Sequence, residues 1–436
     1  MQTSPPQMIL TLPKTPPLQK PRVHSLSNGL TVVAEQMPIE AVSLNVWINV
    51  GSAVESDSIN GMAHFLEHII FKGTENLASS EFERRVEERG AITNAATSQD
   101  YTHFYITTAP KDFQELAPLQ IDLVCNPSIP PDSFETERLV VLEEIRRSQD
   151  SIGRRISRRL METAFDFLPY RRPILGLESI ISQLTPQQMG EFHQTWYQPS
   201  SITAVAVGNL PVDQLIEIVA QGFEEKMARS SKYPDYAPLE FKDNQEPAFK
   251  GITRHEFTDE NLQEARLIVL WRVPGLGELK DTYALDVLAG ILGQGRSSRL
   301  VQDLREERGL VSTISVSNSN YKLQGLFTIS AKCNVKDLAA VETGIVEHLE
   351  KLQTELVKES EILRVRTRVA NRFIFNNETP GERSGLYGYY QCLLGDLEPA
   401  FNYPQHIQMQ NEYDLMKAAQ KYLSPQAYRA VIIKPR

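Results

Sequence analysis

The chain has 436 residues, 41% of them hydrophobic, which is enough for two or more sizeable cores. Its three cysteines, Cys125, Cys333 and Cys392, are too few and too scattered for a disulfide framework or a cysteine-built metal site, and they fit a reducing compartment. The net charge of −10 disfavours general nucleic-acid binding; it can favour basic peptides, although such an excess more often only solvates the surface.

Residues 1–21 are Pro-rich, with neither an apolar run of signal-peptide length nor an amphipathic transit-type helix. They read as a mobile tail on a cytoplasmic protein, and no stretch is long enough to span a membrane. Val23–Leu26 and Leu30–Glu35 flank an Asn28-Gly29 turn and predict a β-hairpin. Val42, Leu44, Val46, Ile48 and Val50 alternate with their neighbours, the pattern of a half-buried strand.

The segment GMAHFLEHIIFKGT (61–74) follows. Asn60 can cap a helix there and Gly73 can end it. Met62, Phe65, Leu66, Ile69 and Ile70 make that helix apolar and bury it, so its polar residues need partners. His64 and His68 are four apart and share one face, within reach of a single metal ion. Glu67 sits beside the pair, placed to take a proton from a water on that metal. The order H-x-x-E-H inverts the familiar H-E-x-x-H. The competing explanation is two core histidines that happen to lie four apart.

Beyond it, the pattern predicts a charged helix at Glu81–Glu88 ending at Gly90 and a strand at Thr102–Thr108. Helices follow at Asp112–Cys125, Pro131–Ser148 and Ile152–Phe167. The last is basic at Arg154, Arg155, Arg158 and Arg159, which are expected to neutralise nearby acids rather than to bind nucleic acid. A strand at Ile202–Val207 and a helix at Pro211–Phe223 complete this half.

A catalytic zinc usually takes three protein ligands, so two histidines call for a third. In FETERLVVLEEIRRS (134–148), Glu137, Val140, Val141 and Glu144 fall on one stripe, and Glu144 projects from an otherwise apolar face. Glu143 is rotated about 100° away and can pair with Arg146 or Arg147. Glu144 is therefore the expected ligand and Glu137 an inward carboxylate behind the site. On pattern alone, the helix reads equally as a surface helix laced with salt bridges.

Residues 226–250 have the composition of a linker, after which the pattern begins again. AVSLNVWINVGS (41–52) is echoed by ARLIVLWRVPG (265–275), and the helix at 62–72 by YALDVLAGILG (283–293). RRVEERGA (84–91) is echoed by QDLREERGL (302–310), and SITAVAVGNLP (201–211) by YRAVIIKPR (428–436). Two copies of one α+β domain are expected, at 22–225 and 251–436, each an antiparallel sheet packed with helices. Leu285 and Ala289, or near neighbours, stand where the first copy has histidines, so the metal belongs to the first copy alone.

HFLEH (64–68), ETERLVVLEEI (135–145), ERGAITNAATSQDYTHF (88–104) and LPYRRPILG (168–176) resemble the inverzincin peptidases of the pitrilysin, insulinase and mitochondrial processing peptidase type. The resemblance covers about residues 23–436. It implies one Zn²⁺ per chain on His64, His68 and Glu144, Glu67 as general base, and Glu137 in support. It also implies that Asn94 and Ala95 hold the substrate backbone as an added edge strand. The implied assembly is half of a clamshell chamber that cleaves short or unfolded peptides. Many active relatives carry an Arg followed seven residues on by a Tyr; here Arg305 is present but Ser312 stands at the second position. A homologous subunit in a heterodimer is therefore expected to supply the full pair, with a homodimer as the other possibility. The alternative is a non-catalytic core or chaperone-like subunit of the same fold, although such members usually lose the H-x-x-E-H residues that this chain keeps.

Overall fold

The structure is a computed structural model describing residues 20–227 and 245–436. The tail expected at 1–21 and the linker expected at 226–250 lie largely outside the described residues.

The first half runs β1 (Arg22–Ser25), β2 (Thr31–Gln36), β3 (Val42–Ile48), α1 (Met62–Ile70), α2 (Glu81–Glu88), β4 (Ile92–Thr97) and β5 (Thr102–Thr108). It continues through α3 (Pro110–Cys125), α4 (Pro131–Asp150), α5 (Ile152–Ala164), α6 (Glu178–Ile181), α7 (Pro186–Trp196), β6 (Ile202–Gly208) and α8 (Val212–Met227). The second half runs β7 (Thr253–Thr258), β8 (Ala265–Pro274), α9 (Leu279–Gly293), a π-helix (Val301–Glu307), β9 (Val311–Ser319) and β10 (Gln324–Cys333). It ends with α10 (Leu338–Thr354), α11 (Glu359–Phe375), α12 (Pro380–Leu394), α13 (Glu398–Met409), α14 (Glu412–Tyr422) and β11 (Arg429–Lys434).

The strands form two sheets, ordered β1-β2-β6-β3-β5-β4 and β7-β11-β8-β10-β9. Without β1, the two orders match strand for strand, so the chain is a duplicated α+β fold. All four sequence echoes fall on equivalent elements: β3 and β8, α1 and α9, α2 and the π-helix, β6 and β11. Each sheet is mixed rather than purely antiparallel. The pairs β2–β6 and β7–β11 are parallel because the rest of each domain is threaded between them, which supplies the crossover a parallel pair needs.

Strand β3 is buried along its whole length, not half-buried as its alternation predicts. The cause is α12, which comes from the other half and covers the face carrying Ser43, Asn45 and Trp47. Gly388 of α12 lies flat on Trp47, where a Cβ would come within 2.0 Å of the indole nitrogen. The exchange is reciprocal. Met161, Ala164 and Phe165, in and just beyond α5, pack with Ile268, Leu270, Val431 and Ile433 of the second sheet. Helix α5 ends at Ala164, short of the expected Phe167, because Phe165 is extended and the amides of Asp166, Phe167 and Leu168 turn to the Glu246 carboxylate. Arg155 of α5 forms a two-pronged ion pair with Asp259, at 2.7 and 2.9 Å. Arg158 and Arg159 pair with Glu162, so these arginines do face acids, as the sequence suggests.

Candidate metal centre

Helix α1 carries the site and packs against α4 and β4, with Met62, Ala63, Phe65, Leu66, Ile69 and Ile70 buried. Asn60 does not cap it. Gly61 holds the cap position at φ 97°, and a buried carboxylate, Glu55, takes up the free N–H groups. Its Oε2 accepts from Gly61 N at 2.8 Å and Asn60 Nδ2 at 2.9 Å, and its Oε1 from Ala63 N at 2.8 Å. Burial pushes the Glu55 carboxyl up to about 7 despite these donors. At Gly61 a Cβ would fall 2.7 Å from Ile181 and 2.8 Å from Gly176, so both the positive φ and the close approach require glycine. Glu55 went unnoticed in the sequence. The one available signal was an acid a few residues upstream of the helix start. Gly73, at φ 105°, turns the chain three residues after α1 ends.

Among the described residues, His64, His68 and Glu144 form a group whose ligand atoms all lie within 4.8 Å of one another. Glu144 Oε2 is 3.4 Å from His64 Nε2 and 3.7 Å from His68 Nε2. These separations are long for charged hydrogen bonds. Bonds of about 2.0–2.2 Å to a tetrahedral metal put ligand atoms about 3.3–3.6 Å apart. The donor set therefore fits a shared cation better than it fits direct pairing. Burial, then the neighbouring His68, lowers the His64 pKa to about 4, which keeps its imidazole neutral and available as a ligand. Burial alone would lower His68 as well, but the carboxylates of Glu144, Glu137 and Glu67 outweigh it and raise its pKa. The contact with His68, helped by His64 and Arg154, holds Glu144 down to about 2.

Glu137 is buried behind the group. Its Oε2 lies 3.3 Å from His68 Nδ1 and its Oε1 2.8 Å from Lys72 Nζ. An Nδ1–H donated to Glu137 leaves Nε2 of His68 free to ligate. His64 has no such support among the described residues, where its buried Nδ1 meets no partner. We expect Glu137→Gln to weaken zinc binding about 10–100-fold, read by competition with a chromophoric chelator. Unchanged affinity would remove this supporting role.

Helix α4 departs from the expected stripe at one position. Val140 is 45% exposed, and the buried line is Phe134, Glu137, Val141 and Ile145. Glu144 stands at its margin, half open to a cleft, and Glu143 pairs with Arg147 at 3.2 Å. The cleft measures about 630 Å³, and His64, Glu67, Ala95, Ala96, Thr97 and Glu144 are among the residues that line it. Burial raises the pKa of Glu67, and its Oε2 accepts from Thr97 Oγ1 at 2.5 Å, which ties it to the end of β4. Among the described residues strand β4 is the sheet edge, paired only with β5, and it carries Asn94 and Ala95. Asn94 Oδ1 accepts from Ala95 N at 2.8 Å. Arg305 lies on the π-helix of the second half, 44% exposed, and does not line this cleft. Ser312 bonds to Glu264 at 3.0 Å, and the Tyr321 ring packs at a tilt against Tyr170, centroids 4.9 Å apart, at the seam between the halves.

A duplicated α+β fold that, among the described residues, holds one metal-capable His/His/Glu group, in the first copy, defines the class of protein. Two family models match the chain: Insulinase (Peptidase family M16) over residues 31–178, and the Peptidase M16 inactive domain over 183–369. The chain is 28% identical to the zinc protease PqqE of Helicobacter pylori, over 96% of this chain and 94% of that protein. An uncharacterised zinc protease of Mycobacterium tuberculosis is 27% identical over 95% and 93%. Among solved structures, a protease from Helicobacter pylori superposes with a TM-score of 0.87 at 28% identity, covering 96% of this chain and all of that one. An M16-like peptidase from Alicyclobacillus acidocaldarius, at 20% identity and a TM-score of 0.82, shares the fold, covering 97% of this chain and all of the other. The chain belongs to peptidase family M16, the insulinase family. The second model falls mainly on the second copy, whose helix α9 buries Leu285 and Ala289.

Proposed function

We propose that the chain is a zinc-dependent endopeptidase that cleaves short or unfolded peptides. The convergence of His64, His68 and Glu144 beside a buried, pKa-raised Glu67 supports this reading. Zinc, when bound, acts as a Lewis acid and lowers the pKa of water toward about 7. Glu67 takes the proton of the attacking water on its carboxylate and delivers it to the leaving amine nitrogen. Thr97 holds that carboxylate toward the edge strand. The substrate backbone adds to the free edge of β4 beside Asn94 and Ala95, which brings the scissile bond past Glu67. Glu137 keeps His68 in its ligating tautomer.

In this reading the chain is half of a closed chamber, and a homologous subunit supplies the Arg/Tyr pair that Arg305 and Ser312 leave incomplete. The seam position of Tyr321 argues against its standing in. A cytoplasmic location fits three buried free thiols; among the described residues no helix is long and apolar enough to cross a membrane. The test is hydrolysis of a mixed fluorogenic peptide set by the pure chain, with and without a chelator. Chelator-sensitive cleavage is expected at full rate only with the partner present. Cleavage indifferent to the chelator would overturn the zinc reading, and full activity of the lone chain would overturn the need for a partner.

A further inference from the structure

The protein is acidic overall, yet the cleft is not. Six arginines line it, Arg154, Arg155, Arg158, Arg159, Arg171 and Arg172, against two carboxylates, Glu67 and Glu144. Three of the six serve the fold. Arg155 binds Asp259 of the second half, Arg172 is tied to Asp57 and to the backbone oxygen of Glu55, and Arg171 donates to the Asp166 carbonyl. Arg154, Arg158 and Arg159 differ. All are about half exposed, and among the described residues Glu162 is the one carboxylate they pair with outside the metal-capable group. Arg159 also stacks over Phe257, 4.7 Å from the ring centroid.

Arg154 and Arg158 are four apart on α5, so their guanidinium groups rise from one face, with Ser157 and Met161 beside them at the cleft wall. Arg154 reaches Glu144 Oε1 at 3.3 Å, on the carboxylate whose other oxygen faces the histidines. The arginine row therefore begins at the metal group and runs along the same cleft that β4 borders. Ala95, Ala96 and Thr97 of β4 line that cleft together with Arg154 and Arg158, so a strand laid on β4 enters the space they share.

We infer that the Arg154–Arg158 face of α5 recognises carboxylates, and that the preferred substrates are acidic peptides rather than the basic ones suggested by the net charge. This inference rests on the peptidase reading and names its substrate class. The acidic exterior repels carboxylates elsewhere on the surface, and fork-shaped guanidinium groups bind them in two-pronged geometry. The carboxylate can belong to acidic side chains or to a free C-terminus, two sources with the same chemistry.

The test is equilibrium binding of labelled decapeptides to the full-length chain carrying Glu67→Gln, so that none is consumed. The peptides share a neutral core and carry glutamates, lysines, or neither, each with a free or an amidated C-terminus. The glutamate peptide is expected to bind about tenfold tighter than the lysine peptide, as two partly exposed charge pairs allow, and the gap should shrink in high salt. A glutamate-over-lysine gap that persists in the amidated peptides assigns recognition to side chains, whereas weaker binding of every amidated peptide than of its free-acid form assigns it to the terminus. Adding Arg158→Glu, which leaves Glu144 untouched, should abolish or reverse the order, whereas Arg158→Lys should keep it. Equal binding of all peptides overturns the inference, as does an order that survives Arg158→Glu. A third overturning result is an unchanged order with altered sedimentation mass, which would assign this face to a partner subunit. Failure of the peptidase reading would appear separately, as absent chelator-sensitive hydrolysis by the chain with its native Glu67, alone and with its partner, while the binding order stays intact.

Discussion

Glu67→Gln is expected to lower kcat by about 10²–10⁴-fold, the usual share of a general acid–base group, while zinc stays bound at one per chain. The reason lies in the division of labour within α1. His64 and His68 present Nε2 atoms to Glu144, whereas Glu67 faces Thr97 and the cleft and is not among the converging donors. Glutamine keeps the size of the side chain and an oxygen for the Thr97 hydroxyl, so packing and metal affinity should hold. What it cannot do is accept and return a proton. KM should change little, because the loss falls on the transition state rather than on substrate binding. His68→Ala provides the contrast: it removes a donor from the group and leaves Glu137 without its imidazole partner, so metal and activity should disappear together. Steady-state hydrolysis paired with metal analysis separates the two. A Glu67→Gln protein with wild-type kcat would end the general-base assignment.

What the sequence revealed and what it concealed have different physical origins. Local periodicity carried α1: rings four residues apart on a helix must share a face, and the structure brings them together with Glu144. The duplication was legible because equivalent elements must meet the same packing constraints, which leaves similar apolar patterns in β3 and β8 and in β6 and β11. The hidden features all depend on contacts between distant segments. Nothing in the alternation of β3 announces that α12, more than 300 residues later, covers its polar face. Helix α4 has acids and apolar residues on neighbouring faces, so its stripe could be drawn through Val140, whereas docking against α1 buried Val141 and Ile145 instead. Glu55 caps α1 from a loop, a role set by tertiary approach rather than spacing. The arginines of α5 were visible as a charged run, but whether they neutralise acids or line a cleft depends on which of them α5 presents to the second sheet. Both occur: Arg155 does the first, and Arg154 and Arg158 do the second as well as contacting acids.

Glu246→Ala is expected to cost about 3–5 kcal/mol of unfolding free energy, the usual effect of removing one partner from a buried ion pair. Glu246 and Arg272 form that pair at the seam, with side chains 0% and 3% exposed. Each is bound on several sides. The Glu246 carboxylate accepts from the backbone amides of Asp166, Phe167 and Leu168 at 2.7–2.9 Å. Arg272 donates to the carbonyls of Ala164 and Pro247 and to Asp166. Truncation strands three amides and a guanidinium that retains only part of its compensation, from an Asp166 shared with Arg429. The amides belong to the segment that follows α5, so the damage should reach function too. If α5 loosens on the second sheet, Arg154 shifts against Glu144 and α5 loosens against α4, which carries that ligand. Chemical denaturation should show an earlier transition in the variant, and zinc affinity should fall with it. A variant as stable as the wild type would mean that the seam is held by the apolar packing of α5 and α12 alone. In that case α5 should keep its place, and zinc affinity and peptide binding should both remain unchanged.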